Sequence, residues 1–137
     1  MRSTTNYLCL DVGTKRIGVA QADDAIKIAR PLTTIDVDEH CFDTIVRIAQ
    51  DERCDVIIVG YPRNSSGEPT AQTASVVDFV DRLSPIFAGS IVFQDESLTS
   101  VMAEERLASR SQGFSRGDVD AEAACIILTD YLESHHG

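Results

Sequence analysis

Three acidic positions stand where this sequence ends a strand or begins a helix, and together they could hold divalent metal. Asp11 follows the short apolar run Leu8-Cys9-Leu10, and Asp95-Glu96 follow Ile91-Val92-Phe93-Gln94. Asp120 opens the last apolar-periodic segment. Ionised carboxylates are hard oxygen donors that suit Mg2+ or Mn2+. Two such ions about 4 Å apart can hold the attacking water and the leaving oxygen of a phosphodiester in line, so no protein nucleophile is needed. Each position also has an ordinary explanation. Asp11 can cap a turn. Asp95, Glu96 and Asp120 can be first-turn acids favoured by a helix dipole. Joint placement at one sheet edge, not any single residue, carries the metal reading.

That placement depends on the elements. Asn6 to Asp11 reads as a strand, Val12-Gly13-Thr14-Lys15 as a turn, and Arg16 to Ala22 as a second strand. Ile26 to Ile35 reads as a third, broken by Pro31, so the first third of the chain is an antiparallel meander. From Asp38 to Arg53 the apolar positions Phe42, Ile45, Val46 and Ala49 repeat at helical spacing. Val56-Ile57-Ile58-Val59 is a continuous apolar run, the mark of a strand buried on both faces. Gly60 to Pro69 reads as a polar loop, and Thr73, Val76, Val77, Val80 and Leu83 as a helix. Ile91-Val92-Phe93 is expected to be a short buried strand. Helices are expected over Leu98 to Ser109 and Val119 to Leu132, with a loop from Ser111 to Gly117.

The expected class is α/β: a mixed sheet of about five strands with right-handed crossovers and helices on both faces. In such sheets the ligand crevice lies beyond the carboxyl ends of the strands. Strand alternation puts Cys9 and Asp11 on one face. Asp120, Ala124, Ile127, Leu128 and Tyr131 follow a three-and-four rhythm, so Asp120 extends the inward stripe by one turn. Asp118 and Glu122 lie off that line, and Asp118 reads as the helix N-cap. An inward carboxylate is costly to bury unless a cation pairs with it.

At 137 residues the chain is expected to form one domain, residues 1–137. Apolar residues are 43% and charged residues 25%, which excludes collagen-like and disordered chains. The longest apolar run, Ala123 to Leu128, is far short of the roughly 20 residues of a spanning helix, so no membrane association is expected. Met1 to Asn6 has no apolar run, so no secretory signal is expected. Cys9, Cys41, Cys54 and Cys125 form no CxxC pair and no zinc spacing, which suits reduced thiols in the cytoplasm. The net charge of −10 argues against coating nucleic acid non-specifically but allows a small basic rim around an acidic site. Lys15, Arg16, Arg63, Arg110 and Arg116 lie in or beside loops and could form that rim. Gly13 and Gly18 are expected to permit tight turning and close approach of backbone to phosphate.

Leu10-Asp11-Val12-Gly13-Thr14-Lys15-Arg16-Ile17-Gly18-Val19-Ala20 closely resembles the opening motif of the YqgF/RuvX family of Holliday-junction-resolvase-like proteins, also described as pre-16S rRNA nucleases. Val59-Gly60-Tyr61-Pro62-Arg63-Asn64 with Gly67, Asp95-Glu96-Ser97-Leu98-Thr99-Ser100, and Val119-Asp120-Ala121-Glu122-Ala123-Ala124 resemble its second, third and fourth motifs, in family order. The resemblance implies a ribonuclease-H-like fold and metal-dependent cleavage of structured nucleic acid. It assigns Asp11, Glu96 and Asp120 as the catalytic and metal-binding triad, with Asp95 in reserve, and a two-ion Mg2+ or Mn2+ site. It also implies 5′-end trimming of pre-16S rRNA, with ribosomal particles as partners, or cleavage of branched DNA. Lys15, Arg16, Arg63 and Arg116 are the expected substrate-binding cations. Members usually carry an arginine after the Asp-Glu pair, where this chain has Ser97.

Two other functions compete. One is a non-catalytic nucleic-acid-binding or ribosome-maturation factor on the same scaffold. The other is a phosphotransferase, because Asp11-Val12-Gly13-Thr14 also resembles the phosphate-binding turn of sugar kinases and heat-shock chaperones. Those proteins enclose ATP between two similar domains, and one domain is expected here. Oligomeric state has no sequence signature.

Overall fold

Leu8, Cys9 and Leu10 have no solvent exposure, and a strand buried on both faces belongs in the middle of a sheet. The computed structural model places them there. It describes residues 4–62, 66, 68–96 and 116–136, with the backbone alone at 96, 116–118 and 134–136. The strands are β1 (Asn6–Val12), β2 (Arg16–Asp23), β3 (Arg30–Asp36), β4 (Val56–Pro62) and β5 (Ser90–Glu96). The helices are α1 (Cys41–Asp51), α2 (Ala71–Leu83) and α3 (Arg116–His136). The sheet order is β3-β2-β1-β4-β5, with β1–β2 and β2–β3 antiparallel and β1–β4 and β4–β5 parallel. The expected mixed five-stranded α/β sheet with helices on both faces is what forms.

Alternation along the strands sorts the core into two layers. Leu8, Leu10, Ile17, Val19, Ile57 and Val59 pack with Ile45 and Ala49 of α1 and Val76, Phe79 and Leu83 of α2. On the other face Tyr7, Cys9, Ala20, Ala22 and Ile58 pack with Ala124, Ile127, Leu128 and Leu132 of α3. Each large side chain fully buried there contributes roughly 1.5–3 kcal/mol. The positions of β2 that meet α3 are Gly18, Ala20 and Ala22, all small, so the helix backbone can lie close to the strand.

Several boundaries differ from those expected. The third strand begins at Arg30, not Ile26. The Asp23 side chain accepts hydrogen bonds from the amides of Ala25 and Ile26, and Lys27 takes φ 63°, so the chain turns at 24–26 and is irregular up to β3. Pro31 is tolerated because β3 is an edge strand, with a register shift opposite Val19 and Ala20. Helix α1 starts at Cys41 because Asp38 caps the preceding turn through the His40 amide. It stops at Asp51, where Arg53 turns left-handed at φ 55°. Gly60, Tyr61 and Pro62 extend β4 rather than opening a loop, because each finds a partner in β5. Phe93 is 39% exposed, since β5 is the other edge. Helix α3 begins at Arg116, so Arg116 and Gly117 are helical and Asp118 lies inside the first turn instead of capping it. Glu122 lies off the inward stripe of α3 yet is only 4% exposed. The helix expected over Leu98 to Ser109 lies outside the described residues.

None of the four cysteines is in a disulfide, and all four are buried. Burial, reinforced by the carboxylates of Glu52 and Asp55 and partly opposed by Arg30, pushes the Cys54 thiol up to about 12. The stability this protonated thiol contributes is complete below the pKa of the unfolded thiol and is lost as pH rises through the folded value. Ellman's reagent at pH 8 is therefore expected to leave Cys54 unmodified in the native protein and to modify it fully in guanidinium. Rapid native labelling of Cys54 would contradict that burial.

Candidate active site

The β1–β2 turn is built tightly. The Gly13 amide donates to the Arg16 carbonyl at 2.9 Å, and a Cβ on Gly13 would lie 2.8 Å from that same oxygen. The Lys15 carbonyl accepts from the Val37 amide at 2.9 Å, which ties the turn to the chain leaving β3. These contacts fix the start of β2 and, with it, Arg16.

Asp11 is directly opposite Gly18 across the β1–β2 ladder. It shares the parity of Tyr7 and Cys9, which pack against α3, so it belongs to the α3 face. A Cβ on Gly18 would sit 1.9 Å from the carbonyl oxygen of Asp120 and 2.9 Å from the amide nitrogen of Ala121. The α3 backbone at Asp120 therefore rests on the strand pair that carries Asp11. Gly18 is expected from the sequence to admit a phosphate, but what approaches it is the helix backbone.

Arg16 lies two residues before Gly18 and so shares its face. Its Nε donates to Asp120 Oδ2 at 2.6 Å, with the two side chains 31% and 23% exposed. This is a short, charge-assisted contact, and its half-exposed setting keeps its net contribution to stability small. The need for a cation beside an inward carboxylate was legible in the sequence. That the cation would be Arg16 was not, because 104 residues separate the two.

Asp120 and Arg16 open onto a cleft of about 580 Å³ whose other walls are Gly13, Thr14, Lys15 and Gln72. Gln72 is held there by the start of α2. Thr70 and Thr73 form a reciprocal capping box, and the Thr73 hydroxyl also donates to the Pro62 carbonyl at the end of β4. Thr14 and Gln72 carried no sequence signal as wall residues beyond their polarity near a strand end.

The Asp-Glu pair lies at the end of β5, where Asp95 is in register with Tyr61 and Glu96 with Pro62. Position 96 has the parity of Val92, which packs against the α3 layer, and position 95 that of Ile91, which packs against the α1–α2 layer. Extending the Leu10–Val59 pairing by one residue sets Asp11 level with Gly60 and thus with Gln94. From the strand spacing and rise, the Asp11 and Glu96 backbones are about 12 Å apart. Among the described residues no three acidic, histidine or cysteine side chains form a metal cage. The Glu96 carboxylate is not among them. Asp120 at the open cleft and Asp11 on the strand pair beneath it are both carboxylate donors, the oxygen chemistry that a hard cation takes.

Of the five cations expected around the site, Lys15 and Arg16 line the cleft. Arg116 is the first residue of α3, while Arg63 and Arg110 lie outside the described residues.

Comparison with known proteins identifies the family and the fold. Curated relatives named "Putative pre-16S rRNA nuclease" are 38% identical in Chlorobaculum tepidum, over 92% of both chains, and 41% identical in Chloroflexus aurantiacus, over 93% of this chain and 86% of the relative. A third, from Pectobacterium carotovorum, is 35% identical over 99% of this chain and all of its own. Among solved structures, T. thermophilus RuvC in complex with Holliday junction substrate superposes with a TM-score of 0.57 at 13% identity, over 97% of this chain and 96% of that one, which shows a shared fold. The model of the RuvX family, described as Holliday junction resolvase, matches residues 5–134, and the chain belongs to that family.

Proposed function

We propose that this chain is a divalent-metal-dependent nuclease that hydrolyses phosphodiester bonds in structured nucleic acid, and that its substrate is the 5′ region of pre-16S rRNA. The observation that carries this is the seating of Asp120 on the Gly18–Asp11 strand pair, at the rim of a cleft lined by Lys15 and Arg16. Family membership and the names of the relatives supply the reaction class and the RNA.

Asp11, Glu96 and Asp120 are the residues that hold the metal. When bound, Mg2+ or Mn2+ supplies Lewis-acid stabilisation of the phosphate and a water acidic enough to attack at neutral pH. The chain does the rest. Asp11, rigid in the central strand, fixes the position of the centre. Asp120 closes it from α3 and Glu96 from the end of β5. The parity of β5 favours Glu96 over Asp95, which keeps its place as the alternative. Lys15 and Arg16 orient the phosphate, and Arg63 and Arg116 extend the basic rim.

The test is a cleavage assay on a pre-16S rRNA fragment and a four-way DNA junction side by side, with Mg2+, with Mn2+ and with EDTA. Cleavage of the RNA that needs the ion is the expected result. Cleavage of the junction alone moves the substrate to branched DNA. That reaction needs two symmetry-related cuts, so a dimer would then be required. Binding without cleavage under every condition supports the non-catalytic factor, which the net charge of −10 and Ser97 favour.

The small basic rim predicts a gentle salt dependence. If Lys15 and Arg16 make the principal phosphate contacts, log affinity should fall with log salt at a slope of about −2. A slope steeper than about −5 in a fluorescence-anisotropy titration would require a far larger basic surface.

A further inference from the structure

The Arg16–Asp120 pair joins two groups that the proposed function assigns to different partners, one to phosphate and one to metal. We infer that Arg16 is a positioning residue that acts as a built-in counter-ion. It occupies Asp120 until a divalent cation takes the carboxylate, and it is thereby released to the substrate phosphate in the same cleft. This deepens the metal-nuclease reading and rests on it.

The geometry gives three reasons. The Nε–Oδ2 distance of 2.6 Å is a direct charge-assisted bond, so a cation ligated by that oxygen competes with the guanidinium for it. The pair is only partly buried, at 31% and 23% exposure, so exchange does not strand a charge in the core. Arg16 and Asp120 both line the cleft of about 580 Å³, so the freed guanidinium already stands where a phosphate would lie. Its planar fork suits bidentate capture of phosphate oxygens. The backbone does not need to move, because Arg16 is anchored by the Gly13 amide bond to its carbonyl and by the β2 ladder. Metal loading and phosphate binding are then coupled through one side chain. Each promotes the other, as linkage requires.

The test reads metal binding rather than activity. Mn2+ affinity is measured by electron paramagnetic resonance of the free ion, without nucleic acid, for the wild type and Arg16→Gln. Removing the competing cation should tighten Mn2+ binding about 3- to 5-fold, the range of a partly exposed ion pair. In parallel the wild-type Arg16 Nε–Hε resonance, assigned by its loss in Arg16→Lys, is followed during a Mg2+ titration. It should shift with the same midpoint as Mg2+ binding, and this readout does not depend on whether the Gln variant folds. Wild type and Arg16→Gln binding Mn2+ equally, or an Nε–Hε resonance unmoved at saturating Mg2+, would overturn the exchange while leaving the metal site standing. Absence of Mn2+ binding by the wild type would overturn both.

Discussion

Asp11→Asn should abolish divalent-dependent cleavage, lowering the rate by on the order of 10²–10³-fold or more, and should leave the fold intact. Asp11 is in the central strand, one residue past the Leu10–Val59 pairing and directly opposite Gly18. Asparagine preserves its shape and volume there but removes the charge that a hard cation requires. Losing several kcal/mol of electrostatic stabilisation in the transition state is a loss of that size in rate. Without metal the variant should melt within a few degrees of the wild type. It should also lose the stabilisation that saturating Mn2+ gives the wild type, which grows as the logarithm of ion concentration. Asp120→Asn should behave in the same way, while Asp118→Asn, two residues earlier and so about 200° around α3, should retain most activity. Equal losses at 118 and 120 would mean the helix presents a different face to the sheet. Full activity in Asp11→Asn would remove the metal centre from this edge altogether.

The sequence announced the sheet and much of the site because both obey short-range rules. Val56 to Val59 had to be a buried strand, and the phase that put Ala124, Ile127 and Leu128 on one stripe is the phase that packs them onto β1 and β2. That rhythm also separated Asp120 from Asp118 without knowledge of the partner strand. What the sequence hid depends on distant chain. Gly60 to Pro62 read as a loop because local composition cannot show that β5 supplies three partners. Glu122 lies off the inward stripe in the sequence pattern, yet α3 is buried all round from Ala121 to Leu128. The Arg16–Asp120 pair required the N-terminus of a helix to be laid over a hairpin from the other end of the chain. Gly18 was visible as a motif glycine, but its reason was not, since a phosphate and a helix backbone ask the same thing of that position.

Gly18→Ala is the variant that tests how the two carboxylates are brought together. The added methyl would stand 1.9 Å from the Asp120 carbonyl oxygen and 2.2 Å from its carbon, and both atoms are helix backbone. No side-chain rotation can relieve that overlap, so the start of α3 must lift off β2. Overpacking of this kind costs about 1–3 kcal/mol, a fall in melting temperature of roughly 5–10 °C for a chain of this size. The larger effect should be on chemistry. A displacement of about 1 Å in a reacting constellation can cost on the order of 10²-fold in rate, and here it separates Asp120 from Asp11 directly. Gly89→Ala is the control. Its methyl would meet the Asp55 carbonyl oxygen at 2.1 Å, an overlap of similar severity, but at the opposite end of the parallel strands, where β5 begins. Both variants should therefore lose stability. Only Gly18→Ala should lose cleavage and Mn2+ affinity at a temperature where both remain folded. If the two variants fall in activity together, global destabilisation explains the result and Gly18 has no special part in assembling the site. If Gly18→Ala keeps full activity, then α3 does not rely on this contact to carry Asp120 to Asp11.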